Sequence, residues 1–156
     1  MSTQDFEQSI LRSPEEVIPH RAPFLFLREV DFCSDLSARG RYSFSSTNPI
    51  FAGHFPERPI VPGVLILEGA AQVLAYWALL KRPHNWVLLT GVEHAKWSAP
   101  VYPDQEITYH VEVTKTKLSI VIAEVEVFCG EQRVLKATIK GFLQRRSEDD
   151  PQSDEC

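Results

Sequence analysis

A glutamate inside an apolar segment is the first group in this sequence that could do chemistry. Glu68 lies in the run Val64–Leu80, with Gln72 four residues later on the same helical face. Carboxylates are rarely buried unless they are paired or functional. One interpretation is that Glu68 lies on a solvated stripe with Gln72 and Tyr76, or pairs with an arginine. The other is a desolvated carboxylic acid with a raised pKa, which could donate a proton.

His54 is the second candidate. It lies in Gly53–Pro56, within a proline-rich loop that can present an imidazole to a cleft, 14 residues before Glu68. Pro62 and Gly63 stand between them, where the free N–H groups of a helix N-terminus can stabilise negative charge on oxygen. A base, an acid and an oxyanion donor together suit a reaction that passes through an enolate. We expect surface or hydrogen-bonded roles for the other histidines, His20, His84, His94 and His110.

One long helix must position Glu68. The apolar segment predicts a helix that begins at Pro62–Gly63 and ends at Lys81–Pro83, with basic residues and a proline at its C-terminus. Because this helix is apolar nearly all round, it must be enclosed on most sides. Glu68 and Gln72 near its middle favour burial in protein over a membrane span.

Strands surround this helix in the sequence. Their hydrophobic patterns predict strands at residues 24–32, 38–46, 86–89, 93–97, 106–114, 118–128 and 134–143. The first two should form a hairpin, and four prolines in residues 47–62 predict a long ordered loop without regular structure. Ser13, Pro14 and Glu16 predict a short capped helix. The expected fold is α+β, with an antiparallel sheet of about six strands curled around one helix.

Composition bounds the class of protein. The chain has 156 residues, with 16 basic against 21 acidic residues; five of the acids lie in residues 147–156, which leaves 16 against 16 in residues 1–146. A neutral body gives no reason to expect nucleic acid binding. We therefore predict one domain over residues 1–146 and a disordered acidic tail over residues 147–156. Three cysteines without a CxxC pair, and no recognisable export signal, predict a cytoplasmic protein without disulfides or structural zinc.

Several motifs resemble those of one enzyme family, the hotdog-fold 3-hydroxyacyl-(acyl-carrier-protein) dehydratases of fatty acid synthesis. They are His54-Phe55-Pro56, Pro59, Pro62-Gly63-Val64-Leu65 and Glu68, with an N-terminal signature at Pro19–Leu25 and a later strand and turn at Val92–Pro103. The resemblance covers residues 18–143. It implies a hotdog fold, His54 as the catalytic base, Glu68 as the acid and the Gly63 N–H as the group that polarises the thioester carbonyl, with no metal or organic cofactor.

The resemblance also bears on the branch of the family. Glu68 stands where a bifunctional branch has aspartate, which implies dehydration without double-bond isomerisation. Two departures, the order Arg28-Glu29 and the turn Pro103-Asp104-Gln105, leave open a polyene or other specialised lipid pathway beside primary fatty acid synthesis. The alternatives are a hotdog acyl thioesterase, which explains His54 less well, and a non-catalytic carrier-binding subunit of a dehydratase.

The implied substrate is a 3-hydroxyacyl group on the phosphopantetheine of an acyl carrier protein. Candidates for the wall of an acyl tunnel are Phe55, Leu88 and Trp97. Candidates for a basic patch that docks the acidic carrier are Arg21, Lys81, Arg82 and Lys96. The resemblance implies a homodimer, an assembly of such dimers, or a heterodimer with a related subunit. His54 of one subunit would then meet Glu68 of the other, because the sheets of this family join edge to edge.

Overall fold

Six antiparallel strands and one long helix make up the fold. The computed structural model describes residues 11–148 and 150. The elements are α1 (Pro14–Val17), β1 (Glu29–Cys33), β2 (Ser37–Ser43), a 3-10 turn (Pro49–Ala52), α2 (Gly63–Lys81), β3 (Asn85–Trp97), β4 (Glu106–Lys117), β5 (Ile120–Cys129) and β6 (Gln132–Arg145). The strands form one sheet in the order β1-β2-β4-β5-β6-β3. This is the predicted α+β hotdog arrangement.

Helix α2 forms the centre of the core. It begins and ends where the sequence predicts, and its side chains pack against inward-facing residues that alternate along the central strands, as Val111 and Val113 do on β4. The helix is long and apolar enough to span a membrane, but 67% of the window that meets this test is buried inside the protein. The prediction that the helix is enclosed on most sides is therefore confirmed.

The chain before β1 differs from the prediction. Residues 24–28 are not a strand, because the side chain of Gln72 takes the place of a neighbouring strand. Its Oε1 accepts a hydrogen bond from the Phe26 N–H at 2.8 Å, and its Nε2 donates to the Phe24 carbonyl at 3.2 Å. The hairpin of β1 and β2 and the capping box of Ser13 and Glu16 are confirmed. The loop 47–62 contains one short 3-10 turn, because the Asn48 side chain accepts the Ile50 N–H.

The prediction of separate strands at residues 86–89 and 93–97 is wrong, since both belong to β3. Irregular pairing with β6 at Leu89–Gly91 and at Glu93–Lys96 breaks the alternation that the sequence pattern relies on. Strand β5 begins at Ile120 rather than at residue 118. Leu118 has a φ of 54° and lies in the turn between β4 and β5.

Strand β3 forms one edge of the sheet, opposite β1. It is 13 residues long. Four of its large apolar side chains are between 40% and 46% exposed, namely Leu88, Leu89, Val92 and Trp97. A long apolar edge strand is a template for pairing with another chain.

The first residues of the acidic tail contact the N-terminal end of β3, at Trp86. The Asp150 carboxylate accepts hydrogen bonds from the Trp86 indole N–H at 2.8 Å and the Ser147 N–H at 3.0 Å, and the Arg146 guanidinium lies 4.2 Å from the Trp86 ring centroid. Residue 149 and residues 151–156 lie outside the described residues. The predicted disorder of the tail stays a prediction.

Candidate active site

The loop before α2 holds the His54 ring in one tautomer. The ring Nδ1 lies 2.8 Å from the Ile60 carbonyl oxygen. A carbonyl oxygen can only accept, so Nδ1 carries the proton and Nε2 keeps a free lone pair. The backbone fixes the loop on both sides, since the His54 N–H donates to the Ile50 carbonyl and the Ile60 N–H donates to the His54 carbonyl. The Nε2 atom is thus prepared to accept a proton.

His54 lines a cavity of about 470 Å³ at the N-terminus of α2. Gly63 and Trp97 line the same cavity. The Trp97 indole N–H donates to the Gly63 carbonyl at 3.0 Å, and a Cβ at position 63 would lie 2.7 Å from the indole nitrogen, so only glycine fits there. The first N–H groups of a helix lack an acceptor within the helix. The His54 imidazole and the helix N-terminus therefore share one cavity.

Glu68 lies in a second cavity of about 240 Å³, which is lined mainly by apolar residues of α2 and β3. The side chain is 21% exposed, and its Oε1 accepts a hydrogen bond from Gln72 Nε2 at 3.1 Å. Burial raises the pKa of Glu68, and the hydrogen bond from Gln72 lowers it in part. The predicted shift is therefore confirmed.

The interpretation of Glu68 as part of a solvated stripe is wrong. Gln72 and Tyr76 are fully buried, because Gln72 binds the chain before β1 and the Tyr76 hydroxyl exchanges hydrogen bonds with the backbone of Arg12. The ionisable group near Glu68 is His20 rather than an arginine, with its Nε2 3.6 Å from Glu68 Oε1. Glu68 is a half-buried acid in an apolar cavity.

Close packing of α2 on the sheet fixes the position of the backbone that carries Glu68. A Cβ at Gly69 would collide with the ring and hydroxyl of Tyr109, so a glycine must follow Glu68 for α2 to approach β4 this closely. Tyr109 is fully buried, which raises the pKa of its hydroxyl. The helix cannot move away from the sheet without opening a void around that ring.

The two catalytic candidates do not share a cavity within one protomer. Trp97 lies beside His54, whereas Leu88 lines the cavity of Glu68. These two residues stand nine positions apart on β3, a distance of about 30 Å along a strand. Phe55 stacks on the His54 ring with centroids 4.0 Å apart. The three tunnel candidates are thus divided between two regions, Phe55 and Trp97 on the side of His54 and Leu88 in the cavity of Glu68.

The four docking candidates do not form one basic patch. Arg21 donates to backbone carbonyls around α1, Lys81 pairs with Asp35 at 3.2 Å, and Arg82 donates to the Leu118 carbonyl. Lys96 lies near the C-terminal end of β3, in a small cavity that Arg133 and Lys136 also line. Long-range strand pairing creates this cluster, so residue spacing alone did not reveal it.

Sequence reasoning also missed His20, for which a surface or hydrogen-bonded role was expected. The structure places it in the Glu68 cavity, about half-buried and beside the carboxylate. The available signal was its place in the Pro19–Leu25 segment, which resembles the N-terminal signature of the dehydratases. The spacing of the two residues did not indicate that they are neighbours, because His20 precedes Glu68 by 48 residues.

Comparisons with known proteins agree on one family. A family model described as a FabA-like domain matches residues 18–138. The chain is 35% identical over 136 residues to the 3-hydroxyacyl-(acyl-carrier-protein) dehydratase FabZ of Campylobacter lari, covering 83% of this chain and 93% of that protein. It is 33% identical to the FabZ of a Nitratiruptor species, with 83% and 93% covered, and 41% identical to that of Brucella ovis, with 67% and 69% covered.

Solved structures with low sequence identity share the fold. The dehydratase heterocomplex ApeI:P of Xenorhabdus doucetiae matches with a TM-score of 0.72 at 15% identity, covering 88% of this chain and 93% of that chain. A sigma28-regulated virulence protein of Campylobacter jejuni matches with a TM-score of 0.64 at 13% identity, covering 92% of each chain. These likenesses concern the fold alone.

Proposed function

The chain belongs to the FabA-like family, together with the 3-hydroxyacyl-(acyl-carrier-protein) dehydratases FabZ, and we propose that it dehydrates 3-hydroxyacyl thioesters on an acyl carrier protein to trans-2-enoyl thioesters. The observation that carries this function is the pair of half-sites. One holds an imidazole with a free Nε2 beside a helix N-terminus, and the other holds a half-buried carboxylic acid. The reaction serves fatty acid, polyene or related lipid synthesis in the cytoplasm.

The proposed mechanism assigns one proton to each group. His54 Nε2 takes the α-proton, and the Gly63 N–H stabilises the negative charge on the thioester oxygen. Glu68 gives its proton to the departing hydroxyl, so the Cβ–O bond breaks, water leaves and the Cα–Cβ double bond forms. His54 ends protonated and Glu68 ends as a carboxylate; both must exchange a proton before the next turnover. Positioned acids and bases contribute about 10²- to 10⁴-fold each.

A complete site then requires two chains. We expect β3 to pair antiparallel with the β3 of a second copy around a two-fold axis near Val92. Such pairing places the Trp97 half of one strand beside the Leu88 half of the other, which joins a His54 cavity to a Glu68 cavity twice per dimer. It also covers the exposed apolar side chains of β3. The Xenorhabdus structure is named a heterocomplex, so a heterodimer with a related subunit remains the alternative to a homodimer.

Lys96 is the docking candidate that the geometry supports for the carrier. It stands directly opposite Lys136 in the pairing of β3 with β6, and like charges placed opposite each other destabilise a sheet. Glu126, which pairs with Lys136 from β5, and Glu124, which lines the same cavity, offset part of this repulsion. The cavity of these lysines shares Ser98 with the His54 cavity, so it lies at the side of the catalytic base. A phosphopantetheine phosphate, or an acidic side chain of the carrier, would offset this repulsion.

One assay separates the proposed function from its alternatives. The protein is incubated with a trans-2-enoyl thioester and with a 3-hydroxyacyl thioester on the acyl carrier protein, and the products are measured by mass spectrometry. Gain or loss of one water supports the dehydratase. Release of the free acid would identify a thioesterase, and unchanged substrates would identify a non-catalytic subunit. Absence of a 3-enoyl product would support the non-isomerising branch that Glu68 implies.

A further inference from the structure

We propose that His20 is a positioning residue for Glu68: its ring N–H and the amide of Gln72 both face Oε1, so that the acidic proton sits on Oε2, toward the reacting hydroxyl. This inference rests on the proposed function and adds a third side chain to the acid half-site. His20 Nε2 lies 3.6 Å from Glu68 Oε1, and Gln72 Nε2 lies 3.1 Å from the same oxygen. Both contacts fall on one carboxyl oxygen.

The surroundings of His20 decide its tautomer. Its Nδ1 is buried and has no hydrogen-bond partner among the described residues. A neutral imidazole carries one N–H, and a buried N–H without an acceptor is costly. The proton therefore belongs on Nε2, which has the Glu68 oxygen within reach. The separation of 3.6 Å exceeds a hydrogen bond, and catalytic contacts of this kind tighten when substrate binds.

Two N–H groups facing Oε1 give the two carboxyl oxygens different roles. An oxygen that accepts from two donors serves as the carbonyl oxygen of the acid, because a hydroxyl proton placed there would meet the N–H of a donor. The acidic proton then resides on Oε2. A carboxylic acid that points its proton in a single direction needs no rotation before it protonates a leaving group.

The two donors, the Gln72 amide and the His20 ring, are held in place by neighbouring segments. The Gln72 amide is fixed by the backbone of Phe24 and Phe26. The Arg21 guanidinium donates to the His20 carbonyl at 2.7 Å and to the Glu15 carbonyl at 2.9 Å, which ties the segment carrying His20 to α1. Arg21 thus supports the acid half-site through His20. Backbone contacts already occupy the guanidinium that the sequence assigned to carrier docking.

The groups around the pair favour an uncharged imidazole and a protonated acid. Burial and the charge of Arg21 lower the pKa of His20, whereas burial raises the pKa of Glu68. The buried Tyr109 of β4 also faces this site, and Glu68 contributes to the raised pKa of its hydroxyl. The cavity residues of β3 and β6 carry no charge: they are Val87, Leu88, Leu89 and Gly141. Both shifts favour placing the ionisable proton on Glu68 rather than on His20.

The test compares His20→Leu with His20→Gln. Leucine fills the space without a donor, whereas the glutamine amide can reach the position of Nε2. We expect His20→Leu to lower kcat about 5- to 10-fold, the rate equivalent of one neutral hydrogen bond, with little change in KM. The alkaline limb of the kcat profile should move to higher pH, because a lost donor to the carboxylate raises the pKa of Glu68. His20→Gln should restore both the rate and the limb.

A matched control uses His110→Leu. The pKa of His110 is also lowered by desolvation, but this exposed side chain lies in a separate cavity between β2, β4 and β5. This variant should keep the wild-type rate and pH profile. A general loss of stability would lower the rate of a variant without moving the limb. An unchanged rate and limb in His20→Leu, or a His20→Gln variant no better than His20→Leu, would overturn the positioning role.

A second readout does not depend on activity. Carbon-13 NMR of labelled glutamate, with Glu68→Gln to assign the signal, should give a higher pKa for Glu68 in His20→Leu than in the wild type. An inactive wild type would overturn the proposed function, while this titration would still decide whether His20 acts on Glu68. If His20→Leu does not fold, the nitrogen-15 chemical shifts of the His20 ring in the wild type show which ring nitrogen carries the proton. A neutral ring protonated on Nδ1 would overturn the proposal.

Discussion

Mixing two inactive variants tests whether each site is built from two chains. His54→Ala removes the proposed base, and Glu68→Gln removes the proton of the proposed acid while keeping the volume and the contact with Gln72. Homodimers of either variant have no complete site. The two residues line separate cavities at opposite halves of β3, so a two-fold pairing would join His54 of one chain to Glu68 of the other. Mixed dimers should therefore contain one native site and one doubly substituted site.

The expected recovery follows from counting sites. If the two variants are unfolded together and refolded at equal concentration, about half of the dimers are mixed, and half of their sites are native. The mixture should show roughly a quarter of the wild-type rate, whereas each variant alone shows at most about a hundredth. Native mass spectrometry measures the fraction of mixed dimers, and the hydration of an enoyl thioester measures the rate.

A double variant provides the matched control. When wild-type chains are mixed equally with chains that carry both His54→Ala and Glu68→Gln, two-chain sites predict roughly a quarter of the wild-type rate, because only wild-type homodimers are active. Sites built within one chain predict about half in this control and no recovery in the first mixture. A dead first mixture, in a sample where mixed dimers are present, would refute the two-chain site.

Three further results are expected. His54→Ala and Glu68→Gln should each lower turnover at least about a hundredfold in steady-state assays while circular dichroism shows the native fold. Glu68→Gln should gain stability relative to the wild type between pH 5 and pH 8 in urea unfolding. The raised pKa of Glu68 means that the native state holds a proton that the unfolded state releases, and this contribution is lost as pH rises through the raised pKa; equal pH dependence of the two proteins would contradict the burial of Glu68. Gly69→Ala should lower the free energy of unfolding by about 1–3 kcal/mol because its Cβ collides with Tyr109. Gly53→Ala should change it little, since the added Cβ would lie 3.8 Å from the nearest atom, the Ile50 carbonyl oxygen.

Local sequence signals predicted the central helix and its surroundings well. The bounds of α2 follow from Pro62 at its start and Lys81 at its end, and the capping box of α1 follows from the spacing of Ser13 and Glu16. The strand expected at residues 24–28 failed because a side chain 46 residues away from Phe26, that of Gln72, supplies the hydrogen bonds that a strand would have made. Local patterns carry no information about such long-range partners.

The site was predicted less completely than the fold. His54, Gly63 and Glu68 stand close together in the sequence, so one motif revealed them. His20 and the pairing of Lys96 with Lys136 depend on segments that meet only in the folded sheet. Their residue types are common on protein surfaces, and only the three-dimensional arrangement separates them from ordinary solvated side chains.

The raised pKa of Glu68 follows from the same packing that makes the fold stable. A helix enclosed by a curled sheet must be apolar on nearly every face, so a carboxyl group placed near its middle becomes desolvated. Two polar neighbours, Gln72 and His20, limit the cost by facing one of its oxygens. The helix N-terminus that supplies the Gly63 N–H stands five residues earlier, more than one turn away. The proposed acid and the proposed oxyanion donor lie on one helix but beside different cavities, and pairing of β3 with a second β3 would bring each beside the residues it needs.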